Sequence, residues 1–139
     1  MFENTMSNEL SDDPRKLSAL VSRVASLATE YAVPSVLVGL VADEGDRTFP
    51  EYIHYLQSAL RVEDGIFRMT RERAVIHLAD VDTEGAQAIL DRLAAAFADE
   101  FPSQAPPHFR TQIYEAKADT EELRVKDILT RIFVTATFH

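Results

Sequence analysis

Apolar residues recur at helical spacing at Leu17, Leu20, Val21, Val24, Leu27, Ala28 and Tyr31, and Asp13 followed by Pro14 supplies an N-cap with proline at the first helical position. The pattern predicts a first amphipathic helix that ends near Val33, before Pro34. Ser35 to Val41, SVLVGLV, is apolar without alternation, which predicts a central strand covered on both faces. An acidic loop from Ala42 to Thr48 leads into a second helix running to about Leu60, with Thr48 and Glu51 at capping-box spacing around Pro50. Gly65 to Met69 and Ala74 to Leu78 read as two strands of a hairpin joined through the polar segment Thr70 to Arg73. Asp82 and Thr83 cap a third helix whose stripe is Ala86, Ile89, Leu90, Leu93 and Phe97, and which stops before the loop Pro102 to Pro107. Alternation predicts a fourth strand over Phe109 to Glu115, with Phe109, Thr111 and Ile113 on one face and Arg110, Gln112 and Tyr114 on the other. Thr120 starts a last helix with Leu123, Ile128, Leu129, Ile132 and Phe133 in its stripe, and Val134 to His139 fits either a helix end or a short extended tail.

This order gives an α+β class: a ferredoxin-like βαββαβ core, an antiparallel sheet with helices on one face, extended by an N-terminal helix and a C-terminal helix. Such a core hosts many unrelated functions, so the fold names none. A chain of 139 residues fits one domain, expected over residues 13–139, and the polar, aperiodic residues 1–12 are expected to form a flexible tail.

With 46% hydrophobic and 27% charged residues the balance is that of a globular protein. The lack of cysteine removes disulfides, thiolate metal sites and cysteine nucleophiles together. No apolar stretch approaches the roughly 18 residues of a membrane span, and the N-terminus lacks a signal-peptide pattern, so the expectation is a cytoplasmic protein without membrane contact. A net charge of −9 repels a polyphosphate backbone and argues against direct nucleic-acid binding, while a local arginine cluster can still attract a small anion.

Few residues carry independent chemical signals. His54, His77, His108 and His139 share no metal-ligand spacing, and no metal is expected. Tyr52 and Tyr55, with His54, can stack on a base, although burial against the sheet is the commoner fate. Asp43, Glu44 and Asp46 form a carboxylate run of the kind that is usually solvated.

The stretch Arg61 to Leu93, RVEDGIFRMTRERAVIHLADVDTEGAQAILDRL, resembles the centre of a GGDEF domain, the fold of bacterial diguanylate cyclases. Arg61, Asp64, Arg68, Asp82, Gly85, Ala86 and Leu93 stand in matching places, TEELRVKDILTRIF is similar to the family's final helix, and the resemblance spans about Ser35 to Phe133. The five signature positions are Thr70, Arg71, Glu72, Arg73 and Ala74. Where the family's two glycines let the backbone approach substrate phosphates, this chain has Thr70 and Arg71. Only Glu72 keeps a carboxylate, which can face Asp43 or Glu44, and the segment before Arg61 is shorter than the family norm by about one helix. The resemblance therefore implies a degenerate domain that is not an enzyme and has no catalytic residues.

Arg61 and Asp64 hold the RxxD spacing that binds the product, cyclic di-GMP, in active members of the family, which implies that dinucleotide as ligand and no cofactor. An arginine fork can donate to guanine O6 and N7, and a carboxylate can accept from guanine N1 and N2. Arg68, Arg71 and Arg73 follow along the same strand and turn, so that with Arg61 up to four guanidiniums are expected near two phosphates. The competing structural reading has Arg61 supporting the end of the second helix and Asp64 forming a turn. A second RxxD, Arg124 to Asp127, falls inside the last helix as a solvated pair. The implied function is a cyclic di-GMP receptor, expected as a homodimer around the ligand and relaying to a regulatory protein such as a transcription factor. The alternative is a nucleotide-independent protein-interaction scaffold.

Overall fold

Helix α1 (Pro14–Glu30) begins as its cap pattern requires, with the Asp13 carboxylate accepting from the Arg15 N–H at 2.9 Å. It ends before Val33 because Ala32 enters the left-handed region at φ 55°, and the Val33 N–H closes back on the Leu27 carbonyl at 2.8 Å. The computed structural model describes residues 11–116 and 125–137. Residues 1–10 of the expected tail over residues 1–12, the expected helix start at Thr120, Arg124 of the second RxxD and His139 lie outside the described residues.

The remaining elements are β1 (Ser35–Ala42), α2 (Thr48–Ala59), β2 (Gly65–Arg68), β3 (Arg73–Ala79), α3 (Thr83–Glu100), β4 (Phe109–Ala116) and α4 (Val125–Thr137). The strands form one antiparallel sheet in the order β2-β3-β1-β4, the ferredoxin-like arrangement. The ambiguous C-terminal stretch continues α4 as far as Thr137. Among the described residues no helix is long and apolar enough to cross a membrane.

Helix α2 is started differently from the predicted capping box. Thr48 is already helical, and the Asp46 carboxylate takes the free N–H groups of Thr48 and Phe49, both at 2.9 Å. Its other oxygen accepts from the His108 N–H at 3.2 Å, pinning the loop before β4 to the start of α2.

The apolar run of β1 is explained by two separate cores. Val36, Val38 and Leu40 pack under α2 and α3 with Phe49, Tyr52, Leu56, Leu90 and Phe97. Leu37 and Val41 face the opposite way and pack with Leu17, Leu20, Val21 and Val24 of α1 and with Ile128, Ile132 and Phe133 of α4. The two helices of the βαββαβ core thus share one face, and the two added helices cover the other.

Gly39 sits at the closest approach of that second layer. A Cβ there would lie 2.8 Å from the Ile132 carbonyl oxygen and 3.0 Å from the Ile132 Cβ, so α4 would have to lift off β1. Gly39→Val should therefore cost about 2 to 3 kcal/mol of stability by overpacking. Urea unfolding of the variant checks this, and a midpoint equal to that of the unaltered protein would contradict it.

Candidate functional site

Arg61 and Asp64 close a turn between α2 and β2. The Asp64 N–H donates to the Arg61 carbonyl at 3.0 Å and the Arg61 N–H donates to Asp64 Oδ2 at 3.2 Å. The side chains are joined as well: Arg61 Nε donates to Asp64 Oδ2 and Nη2 to Asp64 Oδ1, both at 3.0 Å. Both then reach the end of β3, where Arg61 Nη2 donates to the Ala79 carbonyl at 2.7 Å and the Ala79 N–H donates to Asp64 Oδ1 at 3.0 Å. Strand β2 pairs with β3 only over Ala74 to His77, so these side chains complete the ladder at Ala79.

This geometry assigns different capacities to the two residues. The Asp64 side chain is 1% exposed and accepts four hydrogen bonds from protein donors, which uses the lone-pair directions a carboxylate has. The Arg61 side chain is 44% exposed, and its Nη1 lies 3.6 Å from Glu63 Oε2. Its pKa is raised, first by the hydrogen bond to Asp64, which outweighs the opposing effect of burial, and then by the charges of Asp64, Glu63 and Asp80. Arg61 is therefore a cation fixed by Asp64 on one side, with its half-exposed side chain beside Glu63 on the other.

A cavity of about 400 Å³ lies against this turn, lined by Lys16 of α1, Gln57 and Leu60 of the α2 end, Arg61, Val62, Asp64 and the first residues of β2. Its size is that of a small-molecule site. Lys16 and Gln57 were not found by sequence reasoning, since neither belongs to a motif and both come to the cavity only through helix packing.

The other predicted arginines are not gathered there. Arg68 stands at the far end of β2, about 10 Å along the strand by its rise per residue, and its guanidinium donates to Asp12 at 2.9 and 3.2 Å. Arg73 lies over the Phe133 ring at 5.6 Å on the α4 side. Arg71 lines a separate small hollow with Pro50, Ile53, Arg68 and Thr70. The expected convergence of four guanidiniums is thus replaced by a pair of regions at opposite ends of β2.

The turn at the signature position is closed by its own side chain, with the Glu72 N–H donating to Thr70 Oγ1 at 3.2 Å. The Glu72 carbonyl accepts from the Ala42 N–H at 2.7 Å, which sets the hairpin tip beside the end of β1 where Asp43 follows. Among the described residues no group of three or more metal-ligating side chains comes together. Tyr52 is 1% exposed, edge-on to Phe97 at 5.2 Å and stacked on Phe109 at 5.5 Å, and Tyr55 packs edge-on against Phe97. Their role is in the core, and burial pushes the Tyr52 hydroxyl up to about 12.

No family model matches the chain, and no curated protein matches it at a significant level. Solved structures do. PelD 158-CT from Pseudomonas aeruginosa PAO1, in complex with c-di-GMP, matches with a TM-score of 0.64 at 20% identity, over 92% of this chain and 46% of that one. The FimX GGDEF domain from Pseudomonas aeruginosa matches with a TM-score of 0.66 at 14% identity, over 91% of each chain. The GGDEF domain of DgcB from Caulobacter crescentus, in complex with c-di-GMP, matches with a TM-score of 0.65 at 12% identity, over 90% of this chain and 86% of that one. The chain spans less than half the length of the PelD chain it matches. Its fold is that of a GGDEF domain.

Proposed function

We propose that this protein is a non-catalytic receptor for cyclic di-GMP, seating the dinucleotide in the cavity beside Arg61. One observation carries the reading: in a GGDEF fold, Arg61 is held by Asp64 against a cavity of about 400 Å³ with its side chain left 44% exposed. A guanine can stack on the guanidinium face and accept from Nη1 at O6 or N7. Asp64 is a positioning residue, because its own acceptors are already used by Arg61 and Ala79. That two of the solved structures with this fold hold c-di-GMP supports the choice of ligand.

The non-catalytic reading is supported by the hairpin tip, where Thr70 and Arg71 place side chains at the two positions that need bare backbone for close phosphate approach. The ligand has two similar halves and so suits two copies of the chain. Val62, fully exposed beside the cavity, belongs to the surface that a second copy or a regulatory protein such as a transcription factor would read.

Calorimetric titration with cyclic di-GMP, with cyclic di-AMP and GTP as controls, tests the reading. Selective binding at micromolar affinity or tighter is expected, and Arg61→Ala should abolish it while the protein stays folded. Retained micromolar affinity in that variant would remove the site assignment. No heat with any nucleotide, in protein free of bound ligand, would overturn the receptor and favour the protein-interaction scaffold.

A further inference from the structure

Two of the side chains lining the cavity are cations, Arg61 and Lys16, and they come from different parts of the fold. Lys16 lies near the start of α1, and its Nζ stands 3.6 Å from Asp12 Oδ2 with the lysine side chain 46% exposed. Asp12 is held far more firmly from the other direction. Its Oδ2 accepts from the Arg68 N–H at 2.7 Å, its Oδ1 accepts from the Arg68 guanidinium at 2.9 and 3.2 Å, and its own N–H donates to the Arg68 carbonyl at 2.8 Å. Burial pushes the Asp12 carboxyl up, but the hydrogen bonds from Arg68 and the charges of Lys16 and Arg68 outweigh it, so the group stays below its ordinary value and anionic at neutral pH.

Asp12 thus keeps its place and charge whether or not Lys16 is near, while among the described residues the Lys16 ammonium is held by one half-exposed ion pair, of a kind that contributes little. We propose that Lys16 takes a phosphate of the ligand bound in this cavity, and that Asp12 is the internal anion with which that phosphate competes. The inference rests on the receptor reading and deepens it by separating the two contacts. The planar face and Nη1 of Arg61 suit a purine, whereas the rotatable ammonium of Lys16 is a point charge suited to phosphate oxygens. Arg68, which the motif pattern makes a phosphate ligand, serves instead to anchor the competing carboxylate.

Titration of the full chain with cyclic di-GMP at two salt concentrations separates the outcomes. Lys16→Met should bind about tenfold more weakly with a shallower salt dependence, and Lys16→Arg should restore most of the affinity. Asp12→Asn, which keeps an acceptor for the Arg68 N–H, should bind about threefold more tightly because the local negative charge is gone. Thermal melts confirm that each variant is folded, and Lys16→Met changes only a half-exposed helix position. If Lys16→Met binds as tightly as the unaltered protein while Arg61→Ala abolishes binding, the Lys16 assignment falls and the receptor reading stands. If Lys16→Met weakens binding and Asp12→Asn leaves it unchanged, the competition by Asp12 is overturned. If the unaltered chain does not bind, the receptor reading itself fails, and this inference with it.

Discussion

Asp64→Ala should lower stability by about 3 kcal/mol, and Arg61→Ala by only about 1 kcal/mol. The difference follows from burial. Asp64 is 1% exposed and accepts from the Arg61 N–H, Nε and Nη2 and from the Ala79 N–H, so its loss opens the α2–β2 turn and orphans a donor at the end of β3. Arg61 is 44% exposed, and water can replace it at the Ala79 carbonyl. Asp64→Asn should be nearly as costly as alanine, because an amide presents one acceptor oxygen and one donor nitrogen to a ring of donors. For a chain of this length a loss of about 3 kcal/mol lowers Tm by about 10 °C. Thermal melts read this directly, and a fall of less than about 2 °C in Asp64→Ala would show that the carboxylate does not hold the turn. The same pair of variants divides the motif by role: loss of affinity without loss of fold belongs to Arg61, and loss of fold belongs to Asp64.

That division was not legible in the sequence, although the motif was. The motif reads either as a guanine-binding pair, Arg61 with Asp64, or as support for a helix end with a turn, and the geometry commits Asp64 to the turn while leaving the Arg61 side chain half exposed. Helices α1 and α3 were legible because each carries its own period and cap: Asp13 before Pro14, and Asp82 accepting from the Gly85 N–H at 2.8 Å. The fully apolar β1 announced a strand covered on both faces, but nothing local in α1 or α4 said which helices would supply the second cover. Partners distant in sequence decide what remained hidden. Arg68 reads as a ligand-binding arginine until Asp12 is seen beside it, and Lys16 carries no motif at all. Adjacent letters place Arg68, Arg71 and Arg73 together, yet a strand end followed by a turn sends them to different neighbours.

His77 carries the second large effect, a loss of about 3 kcal/mol of stability between pH 6.5 and pH 4. The residue interrupts the apolar run of β3, lies fully buried between the sheet and α1, and among the described residues neither ring nitrogen has a hydrogen-bond partner. Burial first, then the charge of Arg23 on α1 and that of Arg61, lower its pKa from 6.5 to about 4, and Asp64 opposes the shift only in part. The imidazole is therefore neutral in the folded protein while the unfolded chain takes up its proton near the ordinary value. Stability is complete above pH 6.5, falls by about 1.4 kcal/mol per pH unit as the unfolded state binds the proton that the folded state refuses, and levels off near pH 4 where the folded state binds it too. The carboxylates held low by hydrogen bonds, Asp12, Asp13 and Asp46, lose their contribution as pH falls through their ordinary value of 3.8, beginning at about pH 5, so the window above that is left to His77. Urea unfolding at pH steps across the window should show the slope in the unaltered protein and a nearly flat profile in His77→Leu, whose side chain fits the surrounding Leu37 and Val75 layer without a titrating group. A slope that persists in His77→Leu would place the acid sensitivity elsewhere, whereas its loss would identify one buried ring as the source of that sensitivity.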